Sequence, residues 1–412
     1  MKTAIFLIAC LWIGCHPHPE QQGKEQEEQQ RLPPVKALEA WLALPVRGVV
    51  EEQPFALEPL SREEAEEATR LILDDERQAF ARRRGHEWGE KRLAHGKYIM
   101  PFMYRVFGEK PADGRSLYIS LHGGGNTSAA ANDGQWRNQL YLYTPREGVY
   151  VAPRAAVNDW NMWFQPHVDT LVDRLIRLAV IETGVNPDKV YLLGYSAGGD
   201  GVYRLAPRLA DRWAAASMMA GHPGDVSPLG LRNIGFMLWM GANDSAYNRN
   251  SEAVRFGRGI DSLALDDPRG YRHETRIVAG KGHWMDQVDT LAIPWMAAFR
   301  RNPLPERVAW QQDDVTRDAF YWLSVPADEA RARRQIVVSR EGNTFTILRD
   351  DYPGVTIHLN DAMVDLDQPV KVIKNGKTLF EGKVSRDIAN IYRSVEKRGD
   401  PGLVFSARVT AR

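Results

Sequence analysis

The stretch "LLGYSAGGDG", residues 192–201, sets one serine, Ser196, between Gly194 and Gly198. A serine hydroxyl is a weak nucleophile at neutral pH; it needs a base within hydrogen-bond reach and a third group to orient that base. Two later stretches offer these. "FMLWMGANDSAYNRN" carries Asp244 just past a β-rich run, and "IVAGKGHWMD" carries His283 in a glycine-rich loop after another. A serine, a histidine and an acid so combined perform acyl transfer, with negative charge developing on an oxygen that N–H donors must stabilise. "LYISLHGGGNTS" supplies a loop for that purpose, because its glycines let the main chain approach a substrate. The expected donors are the N–H of Gly124 or Gly123 and that of Ala197, the residue after the serine.

These residues need elements to hold them. "KVYLL" before Ser196 reads as a strand and "AGGDGVYRLAPRLA" after it as a helix. A G-x-S-x-G turn between strand and helix is sharp. A β-carbon at either glycine would clash, and the serine backbone is strained so that its hydroxyl stands above the sheet edge. Asp244 and His283 also follow strands, at the edge where open α/β sheets build their sites. Rival residues fit less well. Asp225, Asp266 and Asp267 lie in loops with no strand end before them, His222 precedes Asp244, and His273 comes before its strand. Asp200 is expected to face solvent or cap a local turn, and His122 to pack under the glycine loop.

From Lys97, short β-rich runs alternate with helical segments such as "VDTLVDRLIRLAVIETG". That alternation predicts a doubly wound, mostly parallel sheet covered on both faces, over residues 97–302. Residues 35–96 read as a short helical region, with Ser61 and Glu64 forming a capping box. From Pro303 the runs are strands closed by turns, Asn375-Gly376 being a strong hairpin signal. Residues 303–412 are therefore expected to form a small all-β, sandwich-like domain. Its linker, "RRNPLPERVAWQQ", is short and proline-stiffened, so the domain is expected to dock rigidly on the sheet.

The 412 residues are 43% hydrophobic and 26% charged, which suits a globular chain with a sizeable core. Lys plus Arg equals Asp plus Glu at 53 each, so nothing in the charge points to nucleic acid. No cofactor is expected. Asn132, Asp133, Asn158 and Asp159 lack metal-ligand spacing. The two cysteines are Cys10 and Cys15. One lysine, an apolar run too short to span a membrane and a polar continuation read as a secretory signal.

The end of that run resembles a bacterial lipoprotein signal, in which a small residue precedes a lipidated cysteine. "LIAC" fits the pattern letter by letter, but cleavage there leaves "LWIG" exposed, which favours Cys15. The expectation is a signal at 1–14, a tether at 15–34, and a secreted chain held in the cell envelope by its lipid anchor. The segment from about Lys97 to Arg301 resembles the α/β-hydrolase superfamily. It is nearest to secreted bacterial esterases of the polyhydroxybutyrate-depolymerase-like and prolyl-oligopeptidase-like groups, with "SLHGGG", "GYSAGG", "MGANDSAY" and "GKGHWMD" matching in order. The resemblance implies acyl-bond hydrolysis and does not fix the substrate; the favoured reading is cleavage of a carboxylic ester of unknown identity. A serine peptidase of prolyl-oligopeptidase type, or a surface-tethered binding protein, are the alternatives. Trp136, Trp160 and Trp163, with Phe164, either line a substrate pocket or pack a lid or interface.

Overall fold

The computed structural model describes residues 32–412. The expected signal, Cys10, Cys15 and most of the tether lie outside the described residues. No helix among the described residues is long and apolar enough to cross a membrane. Helix α1 (Pro34–Leu42) leads to the long α2 (Arg62–Gly89). At the start of α2, Ser61 accepts the Glu64 N–H while the Glu64 carboxylate accepts that of Ser61, the reciprocal box the sequence predicts.

Eight strands then build one sheet: β1 (Arg92–His95), β2 (Tyr98–Phe107), β3 (Arg115–Leu121), β4 (Gly148–Pro153), β5 (Val185–Tyr195), β6 (Ala215–Met219), β7 (Gly235–Gly241) and β8 (His273–Val278). Their order is β1-β2-β4-β3-β5-β6-β7-β8. β1, β2 and β4 pair antiparallel, and every pairing from β4 to β8 is parallel. The sheet thus begins at Arg92 rather than Lys97. Helices α3 (Ala129–Leu142), α4 (Pro166–Thr183), α5 (Ala197–Arg208), α6 (Arg249–Asp266) and α7 (Ala292–Ala297) connect and cover it. Successive strand residues face opposite sides. Leu117 and Ile119 join Leu171, Val172 and Leu205 in one core, while Tyr118 between them joins Tyr191, Met219, Ile293 and Met296 in another. Both faces are apolar, as a mostly parallel sheet requires.

Two further sheets follow. One orders β10 (Ala319–Phe320), β11 (Leu323–Ser324), β14 (Val355–Leu359) and β17 (Ala407–Ala411); in the other, β9 (Arg307–Gln311) and β12 (Gln335–Glu341) continue into β13 (Thr344–Asp350), β15 (Val370–Lys374) and β16 (Lys377–Gly382). Asn375 and Gly376 turn between β15 and β16 with φ of 52° and 76°. "AFYWLSV", read as one strand, is instead the β10–β11 hairpin, with Tyr321 at positive φ between its arms.

The expectation of an all-β C-terminal part is also corrected. Helix α8 (Ile388–Arg398) interrupts it. Asp387 caps that helix by accepting the Asn390 N–H, Gly399 ends it at positive φ, and Ile388, Ile391 and Val395 form its buried stripe. This stripe packs against Leu38, Trp41, Phe55, Ala68 and Ile72, so the first and last parts of the described chain share a third core.

The C-terminal part packs closely against the first sheet, continuing the same apolar core through Trp310, Phe320 and Trp322. Buried ion pairs cross the junction. Arg301 grips Asp400 with two bonds, 2.5 and 2.9 Å, and Arg212 reaches the same carboxylate at 2.9 Å. Arg398 pairs with Asp211 at 2.6 Å, and Arg204 with Asp313 at 2.7 Å. Burial alone would raise the Asp400 carboxyl; Arg301, and after it Arg212, outweigh that and hold it well below the usual carboxylate range.

Candidate active site

Ser196 follows β5 directly and opens α5, with φ 58° and ψ −122°, a strained conformation for a residue with a side chain. Its N–H is anchored to Met219 O on the neighbouring strand at 2.9 Å. The flanking glycines are required by contact. A β-carbon on Gly194 would run into the Gly198 carbonyl, and one on Gly198 into the Leu121 carbonyl. The close approach of β3, β5 and α5 leaves the hydroxyl as the only part of Ser196 free to turn outward.

His283 Nε2 lies 2.9 Å from Ser196 Oγ, and His283 Nδ1 lies 2.7 Å from Asp244 Oδ2. The three side chains come from the loops after β5, β7 and β8, all on the carboxyl edge of the parallel strands. Asp244 is buried, and its turn is fixed by its own N–H on Gly241 O and by the Asn250 N–H on Asp244 O. Arg249 Nη1 stands 3.8 Å from Asp244 Oδ1. His283 is partly open to solvent.

The His283 loop is tied down by a residue the sequence reading quoted without weighing. Tyr195, immediately before the serine, donates its hydroxyl proton to His283 O at 2.5 Å and accepts the Met285 N–H at 3.2 Å. Its ring meets the imidazole edge-on, centroids 5.9 Å apart. One backbone turn thus carries the serine outward and, through the adjacent phenol, holds the main chain of the histidine.

The glycine loop is shaped by two side chains. Asn132, buried on α3, accepts the Gly125 N–H at 2.9 Å. His122 is buried; the Ala155 N–H donates to its Nε2, so its proton sits on Nδ1 and is donated to Gly123 O at 2.6 Å. Burial pushes this imidazole down to about 4, so it is neutral near pH 7 and packs under the loop rather than acting as a second base. No hydrogen bond among the described residues occupies the N–H of Gly124 or Ala197, and both line the hollows beside Ser196. A β-carbon on Gly123 would meet Ser196 Cβ at 3.2 Å, which places the loop against Ser196.

The cleft has two hollows meeting at Ser196. One, of about 630 Å³, is walled by Gln135, Asn138, Tyr195 and Trp284; the other, of about 480 Å³, by Trp160, Phe164, His222, Tyr247 and Arg249. Of the three candidate pocket tryptophans only Trp160 reaches the cleft. Trp163 is fully buried and donates its indole N–H to His122 O, and Trp136 donates to Ala152 O beneath α3. Both pack structure because their N–H groups found carbonyls inside. Trp284 and Tyr247, adjacent in sequence to His283 and near Asp244, are the wall aromatics that sequence reading passed over.

The rivals are placed elsewhere. His222 Nδ1 accepts the Gly224 N–H, and its own N–H goes to Asp200 Oδ1 at 2.6 Å. Asp200 therefore caps that turn, largely withdrawn from solvent, and burial raises its carboxyl above the ordinary value. Asp225 pairs with Arg204 and Arg333, Asp267 with Arg232, and His273 with Asp261. Asp133 and Asn158 bind Arg154. Among the described residues no three His, Cys, Asp or Glu side chains gather as a metal ion would need.

The strand order, the elbow after β5 and the loops at the carboxyl edge are those of the α/β-hydrolase fold. No family model and no curated protein matches the chain. Solved structures do resemble it. A thermostable esterase is 17% identical with a TM-score of 0.38, over 51% of this chain and 62% of its own, so less than two thirds of that protein is spanned. A ferulic acid esterase is 16% identical with a TM-score of 0.37, over 50% of this chain and 95% of its own. An acetyl xylan esterase from Aspergillus awamori is 10% identical with a TM-score of 0.34, over 48% and 93%.

Proposed function

We propose that the chain is a serine hydrolase that cleaves a carboxylic ester through an acyl-enzyme. The observation that carries this reading is the unbroken pair of hydrogen bonds from Ser196 through His283 to Asp244 on a strained elbow. Ser196 Oγ attacks the ester carbonyl carbon as its proton passes to His283 Nε2. Asp244 stabilises the imidazolium through Nδ1–H and keeps the ring oriented. The oxyanion is held by the N–H of Ala197 and of Gly124, with Gly123 shaping the loop. Collapse of the tetrahedral intermediate expels the alcohol, which leaves with the proton from Nε2. Water, deprotonated by the same imidazole, then releases the acid and restores the serine.

The motifs shared with secreted bacterial esterases support an ester rather than an amide. A panel of p-nitrophenyl esters, acetylated and feruloylated sugars and peptide amides tests it. Turnover of esters with no amide cleavage is expected; amide cleavage at comparable kcat/KM would move the protein to the peptidases. The lipid anchor at Cys15 remains part of the proposal, and mass spectrometry of the mature N-terminus decides it.

A further inference from the structure

Away from the cleft, a cavity of about 130 Å³ opens between the β10–β11 hairpin, the β14–β17 pair and α8. By volume it has room for about four waters. Four cations reach its wall, Arg393, Lys397, Arg398 and Arg408, together with the Ser324 hydroxyl and the His358 imidazole; no carboxylate lines it. That composition is unusual within this molecule. Elsewhere in the C-terminal part, arginines meet acids face to face, Arg333 with Asp225 and Asp314, and Arg386 with Asp361 and Asp367.

The partners of the four cations sit outside the cavity. Arg393 pairs with Glu51 at 2.9 Å, Lys397 with Asp318 at 2.6 Å and Arg398 with Asp211 at 2.6 Å. The Arg408 side chain makes no hydrogen bond or ion pair among the described residues, although Asp387 feels its charge. It stands directly across the β14–β17 ladder from His358. A guanidinium has five N–H donors and an ammonium three, so one acid each leaves donors free to face inward. His358 registers the resulting field. Burial, and then Arg398, Lys397, Arg408 and Arg393 in turn, push its imidazole down to about 3. The ring is therefore neutral near pH 7 and shares a hydrogen bond of 2.7 Å with Ser324 Oγ.

We propose that this cavity is a binding site for a small, doubly charged oxyanion, a phosphate or sulfate group. Its oxygens accept charge-assisted hydrogen bonds from Arg393, Lys397, Arg398 and Arg408. Ser324, on one strand end, contributes a neutral donor while its oxygen accepts from the His358 Nε2–H. The wall carries four cations and no carboxylate, so a doubly charged guest meets positive charge from several sides.

The test uses the whole protein. Inorganic phosphate is titrated at constant ionic strength, kept with sodium chloride, and the melting temperature is followed alongside calorimetric binding. Saturating phosphate is expected to raise the melting temperature by about 2 °C, and Arg408→Gln to weaken binding about tenfold. Arg408 is exposed and unpaired, so the variant folds; Ser324→Ala is the second variant, expected to weaken binding by a smaller factor. Vesicles of phosphatidylcholine with and without phosphatidic acid separate the two sources. Arg408-dependent capture only by phosphatidic acid identifies a lipid headgroup, and protection by free phosphate without capture identifies a soluble ion. The proposal is overturned if chloride alone gives the same rise, or if Arg408→Gln keeps the full phosphate effect.

Discussion

The two ends of α5 treat polar side chains in opposite ways. Just before its first residue, Ser196 sits on strained backbone, its hydroxyl bonds to His283 and it faces a cleft. At its last turn Arg208 is buried and bonds Asp169 at 2.6 Å, and just beyond it Arg212 enters the Asp400 cluster. One end leaves a hydroxyl exposed to whatever enters. The other closes its charges against buried acids, Asp169 on α4 and Asp400 in the C-terminal part. The difference separates chemistry from cohesion. Reactive groups are held by backbone geometry and left open, whereas cohesive groups are enclosed and neutralised in pairs.

If that division holds, changes at the open end remove activity and leave stability alone. Ser196→Ala and His283→Ala are each expected to lower kcat on a p-nitrophenyl ester by about 10⁴-fold or more, with the melting temperature unchanged, because the triad acts as a unit. His222→Ala is expected to keep most of the activity. A crippled His222→Ala beside an active His283→Ala would reassign the base.

Changes at the closed end are expected to do the reverse. Removing residues 303–412 would uncover the apolar surface around Trp213, take Arg398 from Asp211, and take Asp400 from Arg212 and Arg301, which keep only Asp173 and Asp188. Insoluble or strongly destabilised protein is the expected product, read by solubility and thermal melting. Soluble protein with its melting temperature intact would mean the junction contributes little.

Asp400→Asn is the finer version of the same cut. It removes the carboxylate that buried Arg301 and Arg212 share and leaves each with one remaining acid, Asp188 and Asp173, at an expected cost of about 3 kcal/mol. The pH dependence has a fixed sign. Because the folded carboxyl titrates below its unfolded value of about 4, its stabilisation is complete above that pH and fades as pH falls through the lower folded value. Denaturant curves of wild type and variant should differ fully at pH 7 and converge below about pH 4. A gap that persists at low pH would assign the loss to packing.

The smallest expected effect lies between the two ends. Tyr195→Phe keeps the ring but frees His283 O and the Met285 N–H, so kcat should fall about tenfold at unchanged KM. A change in KM alone would show that Tyr195 serves the substrate wall and not the histidine loop.

Much of the open end was legible in the sequence. Ser196 and Asp244 each follow a strand whose apolar run is unambiguous, His283 follows the more polar β8, and glycine spacing has few physical explanations other than a tight turn. The closed end was far less so. Asp400 and Asp211 look like ordinary loop acids until distant arginines meet them. Trp136, Trp160 and Trp163 have the same residue type within one region, and only the position of a carbonyl for each indole N–H separates wall from core. The α8 signal was present, with Asp387 before it, apolar residues at helical spacing and Gly399 after it, but it was read as part of a run of strands. The packing of α8 on α1 and α2 joins residues more than 300 positions apart, a distance no local pattern spans.

The central claim is that Ser196, activated through His283, forms a covalent acyl-enzyme. A fluorophosphonate probe followed by peptide mass spectrometry tests it directly. The account expects a single adduct on Ser196, formed rapidly in the wild type and about 10³-fold or more slowly in His283→Ala. No adduct on folded protein, or an adduct on another residue with Ser196 unmodified, would contradict it.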